Sequence, residues 1–294
     1  AADGTGTNYA AGASYTIGAS DEILYAAWSV NSYTVSYDGN GSSGGSSPAD
    51  ASHHYNTGVT VAGSGSLFKT GYTFAGWNTA ADGTGTGYAE NDIFTIGAAN
   101  VSLYAVWTIN SYTVSFDADG GTPVSAQTVI YGNTVSKPVD PEKTGHTFDG
   151  WYTDEDLLTP YEFAAAIGDS DFTLHAKWNI NSYTVAYDGN GSTEGAAPAS
   201  ASYDYNVNVT ISDIGSLGKT GHTFAGWNTA ADGSGTGYDA GDTLTIGTEG
   251  VTLYAQWSVN HYPIAYDGNG HASGSAPAFE SHDYGAAVTV PDNA

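Results

Sequence analysis

Asp38, Asp188 and Asp267 each open a D-G-N-G tetrapeptide, and Asp117 and Asp119 stand in D-A-D-G at the matching place. Carboxylates and carbonyls gathered in a Gly-rich turn are the chemistry of calcium, so these five are the candidate metal ligands. An EF-hand loop is excluded, because it needs an acid at its twelfth position. Counted from Asp38 that residue is Ala49, and from Asp188 it is Ala199. What remains is a looser calcium site completed by carbonyls, weighed against a tight turn whose Asn and Gly tolerate positive φ. The turn is the expectation. A second Gly-rich phrase, W-N-T-A-A-D-G-[TS]-G-T-G-Y at 77–88 and 227–238, resembles a phosphate-cradling loop in its glycines alone. It has neither the lysine nor the strand-to-helix setting of such a loop.

The eight His do not form a recurring catalytic set. His146 and His222 take the place of Tyr72 in G-[YH]-T-F, so the position asks for an amphipathic ring and not for a proton carrier. His53 and His54 align with Tyr203 and Asp204, and again with His282 and Asp283. No Ser–His–Asp, paired-carboxylate or metal-ligand constellation persists from copy to copy. The expectation is a non-enzymatic chain with no cofactor, calcium being the one candidate ion.

The aromatic residues lead from sites to elements. One class of Trp closes the phrases ILYAAW, SLYAVW, TLHAKW and TLYAQW at Trp28, Trp107, Trp178 and Trp257, in steps of 79, 71 and 79 residues. A second class, Trp77, Trp151 and Trp227, follows Gly in T-F-x-G-W with Phe74, Phe148 and Phe224. Small domains bury proportionately little surface, so a few large aromatics must supply much of each core. All seven Trp and the three Phe are therefore core candidates, with the closing Trp expected near the junction between units. An exposed aromatic platform for carbohydrate is the alternative.

These markers divide the chain into a terminal piece (1–29), a long repeat (30–108), a short repeat (109–179), a second long repeat (180–258) and an opening piece (259–294). Within a unit, S-Y-T-V-S-Y-D alternates apolar and polar residues before the D-G-N-G turn, as a half-buried strand does. A Gly/Ser/Pro loop at 41–50 and 191–200 lengthens the long units. Four or five strands per unit are expected, with AAAIG at 164–168 as at best one turn of helix.

Composition supports that reading and excludes several functions. Gly (40) and Tyr (22) are abundant, with no Cys or Met, so disulfides and thiolate metal sites are ruled out. Thirty-one acidic residues against five Lys give a formal charge of −26. No basic face for nucleic acid can be assembled from that, and an anionic membrane surface would repel it. No apolar run is long enough to insert into a membrane. The chain opens in mid-phrase, so it is expected to be a segment of something longer.

The order Y-T-V-S-F-D-A-D-G-G, Y-G, K-T-G-H-T-F-D-G-W-Y-T and T-L-H-A-K-W across 112–178 resembles the Listeria–Bacteroides repeat of the internalin B type, with variations in the long units. That resemblance implies tandem β-grasp-like, ubiquitin-like domains on a bacterial surface or secreted protein. The expected fold is thus mainly β with little helix, arranged as an extended array. The expected role is a stalk or spacer, in an adhesin, whose partners are the neighbouring repeats. A filament of like chains, or a module binding glycan, protein or calcium at the host or cell surface, is the alternative. The long units depart from the family in W-N-T-A-A-D-G-T-G-T-G-Y and in their first loop.

Overall fold

The computed structural model describes residues 1–270 and 272–291. They divide into two compact units. Unit 1 is Ala1–Val114 with Gln127–Ser136 and Phe163–Asp171, and unit 2 is Ser115–Ala126 with Lys137–Glu162 and Phe172–Ala294. The short repeat contributes to both.

In unit 1 the first long repeat carries β1 (Ser32–Asp38), β2 (Ala51–His54), β3 (Gly58–Thr60), β4 (Tyr72–Asn78), β5 (Gly87–Tyr88), β6 (Ile93–Thr95) and β7 (Val101–Ile109). The main sheet runs β2-β1-β7-β4-β5, and β3 pairs with β6 beside it. The first and last strands, β1 and β7, lie side by side and parallel, while β2 and β4 pair antiparallel on either flank. The core is Val35, Val59, Val61, Trp77, Ile96, Leu103 and Ala105, with Phe74 and Trp107 packed against it. β7 puts alternate residues there: Leu103 and Ala105 are buried while Ser102 is exposed.

The short repeat has β8 (Ser111–Asp117), β9 (Gln127–Ile130), β10 (His146–Tyr152) and β11 (Phe172–Ile180), in the order β10-β11-β8-β9. Val114, Val129, Val135 and Ile167 are buried in unit 1; Phe116, Trp151, Leu174 and Ala176 are buried in unit 2. The second long repeat, wholly in unit 2, repeats the first with β12 (Ser182–Asp188), β13 (Ala201–Asp204), β14 (Asn208–Thr210), β15 (His222–Asn228), β16 (Gly237–Tyr238), β17 (Thr243–Thr245) and β18 (Val251–Val259). β19 (His261–Ile264) and β20 (Glu280–Asp283) form a closing hairpin.

The protein is mainly β, and among the described residues no helix occurs. Residues 164–168 are turn and bridge where one helical turn was the most expected. The long repeats hold seven strands and not four or five. The extra ones are two- and three-residue pairings such as β3 with β6, too short to leave a readable alternation. The Gly, Thr and Asp of these crossings favour turns over helix, which explains why extended chain takes them up.

A bulge between Phe74 and Gly76 shifts β4 against β7. Gly76 has φ 131°, and a Cβ there would stand 2.7 Å from the Tyr88 carbonyl oxygen. The bulge makes Gly obligatory before Trp77 and lets Gly76 and Trp77 take successive buried positions. The same shift occurs in β10 and β15.

Candidate functional site: the joint between repeats

The acidic turns come first. Asp38 accepts the Asn40 backbone N–H at 2.7 Å, Asp117 that of Asp119 at 2.9 Å, Asp188 that of Asn190 at 2.8 Å and Asp267 that of Asn269 at 2.9 Å. The third residue has φ near +45° each time: 43° at Asn40, 44° at Asp119, 46° at Asn190 and 45° at Asn269. These are Asx turns, which Asn and Asp stabilise locally. In the long repeats the Asn amide also donates outward, Asn40 to the carbonyls of Ala81 and Ala105, both at 2.9 Å. Lys143 of K-T-G stands over the turn of the short repeat and donates to the Asp119 carbonyl at 2.6 Å. A cation of the chain itself thus occupies the neighbourhood of Asp119. Among the described residues no three His, Cys, Asp or Glu side chains converge.

The second Gly-rich phrase is organised by Asn78, buried and fully partnered. Its amide donates to the carbonyls of Gly83 at 3.1 Å and Gly85 at 3.3 Å, and its oxygen accepts the Ala80 N–H. Further out, Asp82 takes the Thr84 hydroxyl at 2.7 Å and its N–H at 3.0 Å. Those two donors, the hydroxyl first, hold the Asp82 carboxyl below its ordinary range. Ser234 does the same for Asp232.

The aromatic candidates separate into three groups. Trp77, Trp151 and Trp227 are 1%, 3% and 1% exposed. Phe74, Phe148 and Phe224 are half-buried, as are Trp107, Trp178 and Trp257. Three of the closing Trp meet the Phe of their own repeat edge-on, Trp107 with Phe74 at 5.7 Å, Trp178 with Phe148 at 5.3 Å and Trp257 with Phe224 at 5.9 Å. Each indole N–H is spent within that repeat too, on the carbonyls of Gly39, Ala118 and Gly189. These closing Trp, expected near the junction between units, pack within their own repeats. Trp107 faces Phe74 across the ladder, on its own repeat's side. Trp28, also expected in a core, is 92% exposed among the described residues.

The joint is built by other residues. Between β7 and β8 stands a single residue, Asn110. Its N–H donates to the Gly71 carbonyl at 2.9 Å, and its own carbonyl accepts the Tyr131 N–H at 2.9 Å. The side-chain oxygen accepts the Thr73 hydroxyl at 2.7 Å. One residue thus ties the K-T-G turn of one repeat to the Y-G turn of the next. Asn181 repeats the set with Gly145, Tyr205 and Thr147, and Asn260 with Gly221, Tyr284 and Thr223.

Above the hydrogen bonds lies a ring pair. Tyr131 meets Tyr72 at 6.3 Å, Tyr205 meets His146 at 6.2 Å and Tyr284 meets His222 at 6.4 Å, all edge-on. Beneath each Tyr sits the glycine of K-T-G, with φ between 71° and 75°, where any Cβ would land inside the ring. The amphipathic ring of G-[YH]-T-F is a joint residue. The sequence held the signal, since one Gly and one Tyr recur at every junction, but nothing in their spacing says that they touch.

A sequence model of the Listeria-Bacteroides repeat domain matches residues 33–106, 112–177 and 183–256. A protein of Evansella cellulosilytica, named for its glycine content and a membrane, is 39% identical over 258 residues, 87% of this chain and 29% of its own length. Internalin H of Listeria monocytogenes is 40% identical over 116 residues, 38% of this chain and 20% of its own. The chain spans less than a third of either relative. Among the described residues no helix is long and apolar enough to cross a membrane. A solved structure of streptococcal tandem repeat domains from a cell surface protein covers 51% of this chain at 14% identity, with a TM-score of 0.22.

Proposed function

Because this chain belongs to the Listeria-Bacteroides repeat family, we propose that it is a non-enzymatic spacer of a bacterial cell-surface or secreted protein, with each repeat held to the next at a fixed joint. The observation that carries the reading is the joint at Asn110, Asn181 and Asn260. Linkers that let domains swing are longer and rich in Gly and Ser. Here one residue connects successive strands, and both of its backbone groups and its side chain are committed to the two neighbours. Such a joint fixes the angle between repeats, and a fixed angle lets small domains span distance.

The kinship with Internalin H supports the surface location. An adhesin, with this segment carrying a binding domain away from the cell, is the parent protein that best suits such a spacer. Small-angle scattering on the 294-residue chain tests the proposal. An elongated particle is expected, with a maximum dimension that falls by one repeat length when one repeat is deleted. A compact particle would sink it. Glycan arrays on the same chain separate the spacer from a binding module, for which specific glycan capture through the loops 41–50 or 191–200 is required.

A further inference from the structure

In each long repeat the strand that enters and the strand that leaves are parallel neighbours. β1 and β7 align Val35 with Val101, Ser36 with Ser102, Tyr37 with Leu103 and Asp38 with Tyr104. β12 and β18 align the equivalent residues, Val185 with Val251 through Asp188 with Tyr254. Tension applied along the chain enters at the start of β1 and leaves at the end of β7. Because the two strands run the same way, those two points lie at opposite ends of the pair. The pull therefore slides one strand along the other, and every bond between them resists at once.

We propose that the long repeats are force-bearing elements, in which the pair of terminal strands is a shear lock against unfolding under tension. Its use in the cell rests on the spacer reading above. Side chains reinforce the lock along its length. At the entry, the Thr34 N–H donates to the Asn100 side chain at 2.8 Å; midway, the Ser36 and Ser102 hydroxyls meet at 3.1 Å. Beyond the last paired residues the D-G-N-G turn is fastened across to β7. Asn40 donates to the Ala105 carbonyl at 2.9 Å, and Trp107 donates back to the Gly39 carbonyl at 3.0 Å. In the second long repeat Asn190 to Ala255 and Trp257 to Gly189 repeat both fastenings. The turn motif and the closing Trp thus share a task that neither metal binding nor joint clamping assigns them.

Load also reaches the lock without slack. β7 passes into β8 through Asn110 alone, and Asn110 is tied to Gly71 on one side and Tyr131 on the other. Forced unfolding is governed by the rate of crossing the unfolding barrier and not by equilibrium stability. A small domain of ordinary stability can therefore be strong along one direction and weak along another, according to how its bonds are loaded.

The absence of native Cys makes the test direct, because two engineered Cys define the pulling points uniquely. In the full chain, Val30→Cys with Thr108→Cys loads β1 and β7 from opposite ends. Val30→Cys with Ala99→Cys loads them from the same end, so that β1 is peeled from β7 one bond at a time. All three positions are exposed. Single-molecule force spectroscopy at one loading rate is expected to give a severalfold higher unfolding force for the first pair. Equal forces, or a higher force for the second pair, would overturn the proposal while leaving the spacer reading intact. A compact scattering particle would overturn the spacer reading while leaving the force difference to be measured.

Discussion

Trp77 and Trp151 fill matching places in successive repeats but differ as hydrogen-bond donors. The Trp77 indole N–H reaches the Ala62 carbonyl at 2.9 Å, whereas that of Trp151 is buried with no acceptor among the described residues. Replacing a bonded donor leaves its partner unsatisfied, while removing an unbonded one relieves a desolvation cost of about 1–3 kcal/mol. Trp77→Phe should therefore destabilise its repeat more than Trp151→Phe destabilises the short repeat, by roughly that amount. Urea unfolding followed by amide signals of each repeat measures it; equal losses would remove the argument. Asp82 gives a second prediction at this scale. Its carboxyl is held below the ordinary range by Thr84, so the loop is stabilised above the unfolded-state pKa and loses that support as pH falls through the lower, folded one. Proton titration by carbon-detected NMR should show Asp82 and Asp232 protonating at lower pH than free Asp, and Thr84→Val should return Asp82 towards it. The Asp38 and Asp188 turns carry the remaining chemical question. With backbone N–H and Asn amides already in place, we expect the melting temperature to be the same in calcium and in chelator, and a rise of several degrees in calcium would contradict this.

The elements divide by how much of them the sequence spells out. β1 was legible because S-Y-T-V-S-Y-D alternates polar and apolar residues, and β4 and β7 because their T-F-x-G-W and closing-Trp phrases recur in each full repeat. β3, β5 and β6 were not, since two or three residues give no period to read. The Asx turns were legible from Asp and Asn beside Gly. The junction was legible only as a place: its shortness and its repeating Asn are written in the chain, but its clamp joins Gly71 to Tyr131, sixty residues apart, and only pairing of β8 with β9 brings them together. Trp107 was placed at the joint because it closes the repeat, but cross-strand register puts it over Phe74 instead. The two residues should therefore fail differently. Trp107→Ala loses packing inside the first long repeat and, as a half-buried Trp, should cost somewhat less than the 3–5 kcal/mol typical of a buried one. Gly71→Ala should leave the core of that repeat intact but force Tyr131 off the turn and strain a φ of 75°. Hydrogen exchange should then show faster opening at Tyr131 and Asn110, with protection of β7 retained. Loss of protection throughout the repeat would assign Gly71 to folding and not to the joint.

At the scale of the chain, two opposed terms set cooperativity. Thirty-one acids, offset by only five Lys, repel one another, and salt screens that repulsion over about 10 Å at 0.1 M. Against it stand the joints, through which each repeat supports its neighbours as in other linear arrays. At Asn181 the joint offers three hydrogen bonds, each contributing about 1 kcal/mol net, and a ring pair contributing about 0.5–1.5 kcal/mol. That sum of about 4 kcal/mol is a large part of the 5–15 kcal/mol available to a small domain. Coupling of that size is expected to make adjacent repeats unfold together. Tyr205→Ala removes the ring pair with His146 but spares the backbone bonds, since a backbone N–H remains at 205. In the full chain, the short repeat and the second long repeat should show a single thermal transition by repeat-resolved NMR. In Tyr205→Ala they should separate, the short repeat melting first because it loses the support at Gly145. Added salt should raise both transitions without rejoining them, because screening acts on all the acids alike and supplies no contact at Gly145. If the wild-type repeats already melt apart, or the variant's transitions rejoin in salt, then general repulsion and not the ring pair controls coupling, and the fixed joint loses its support.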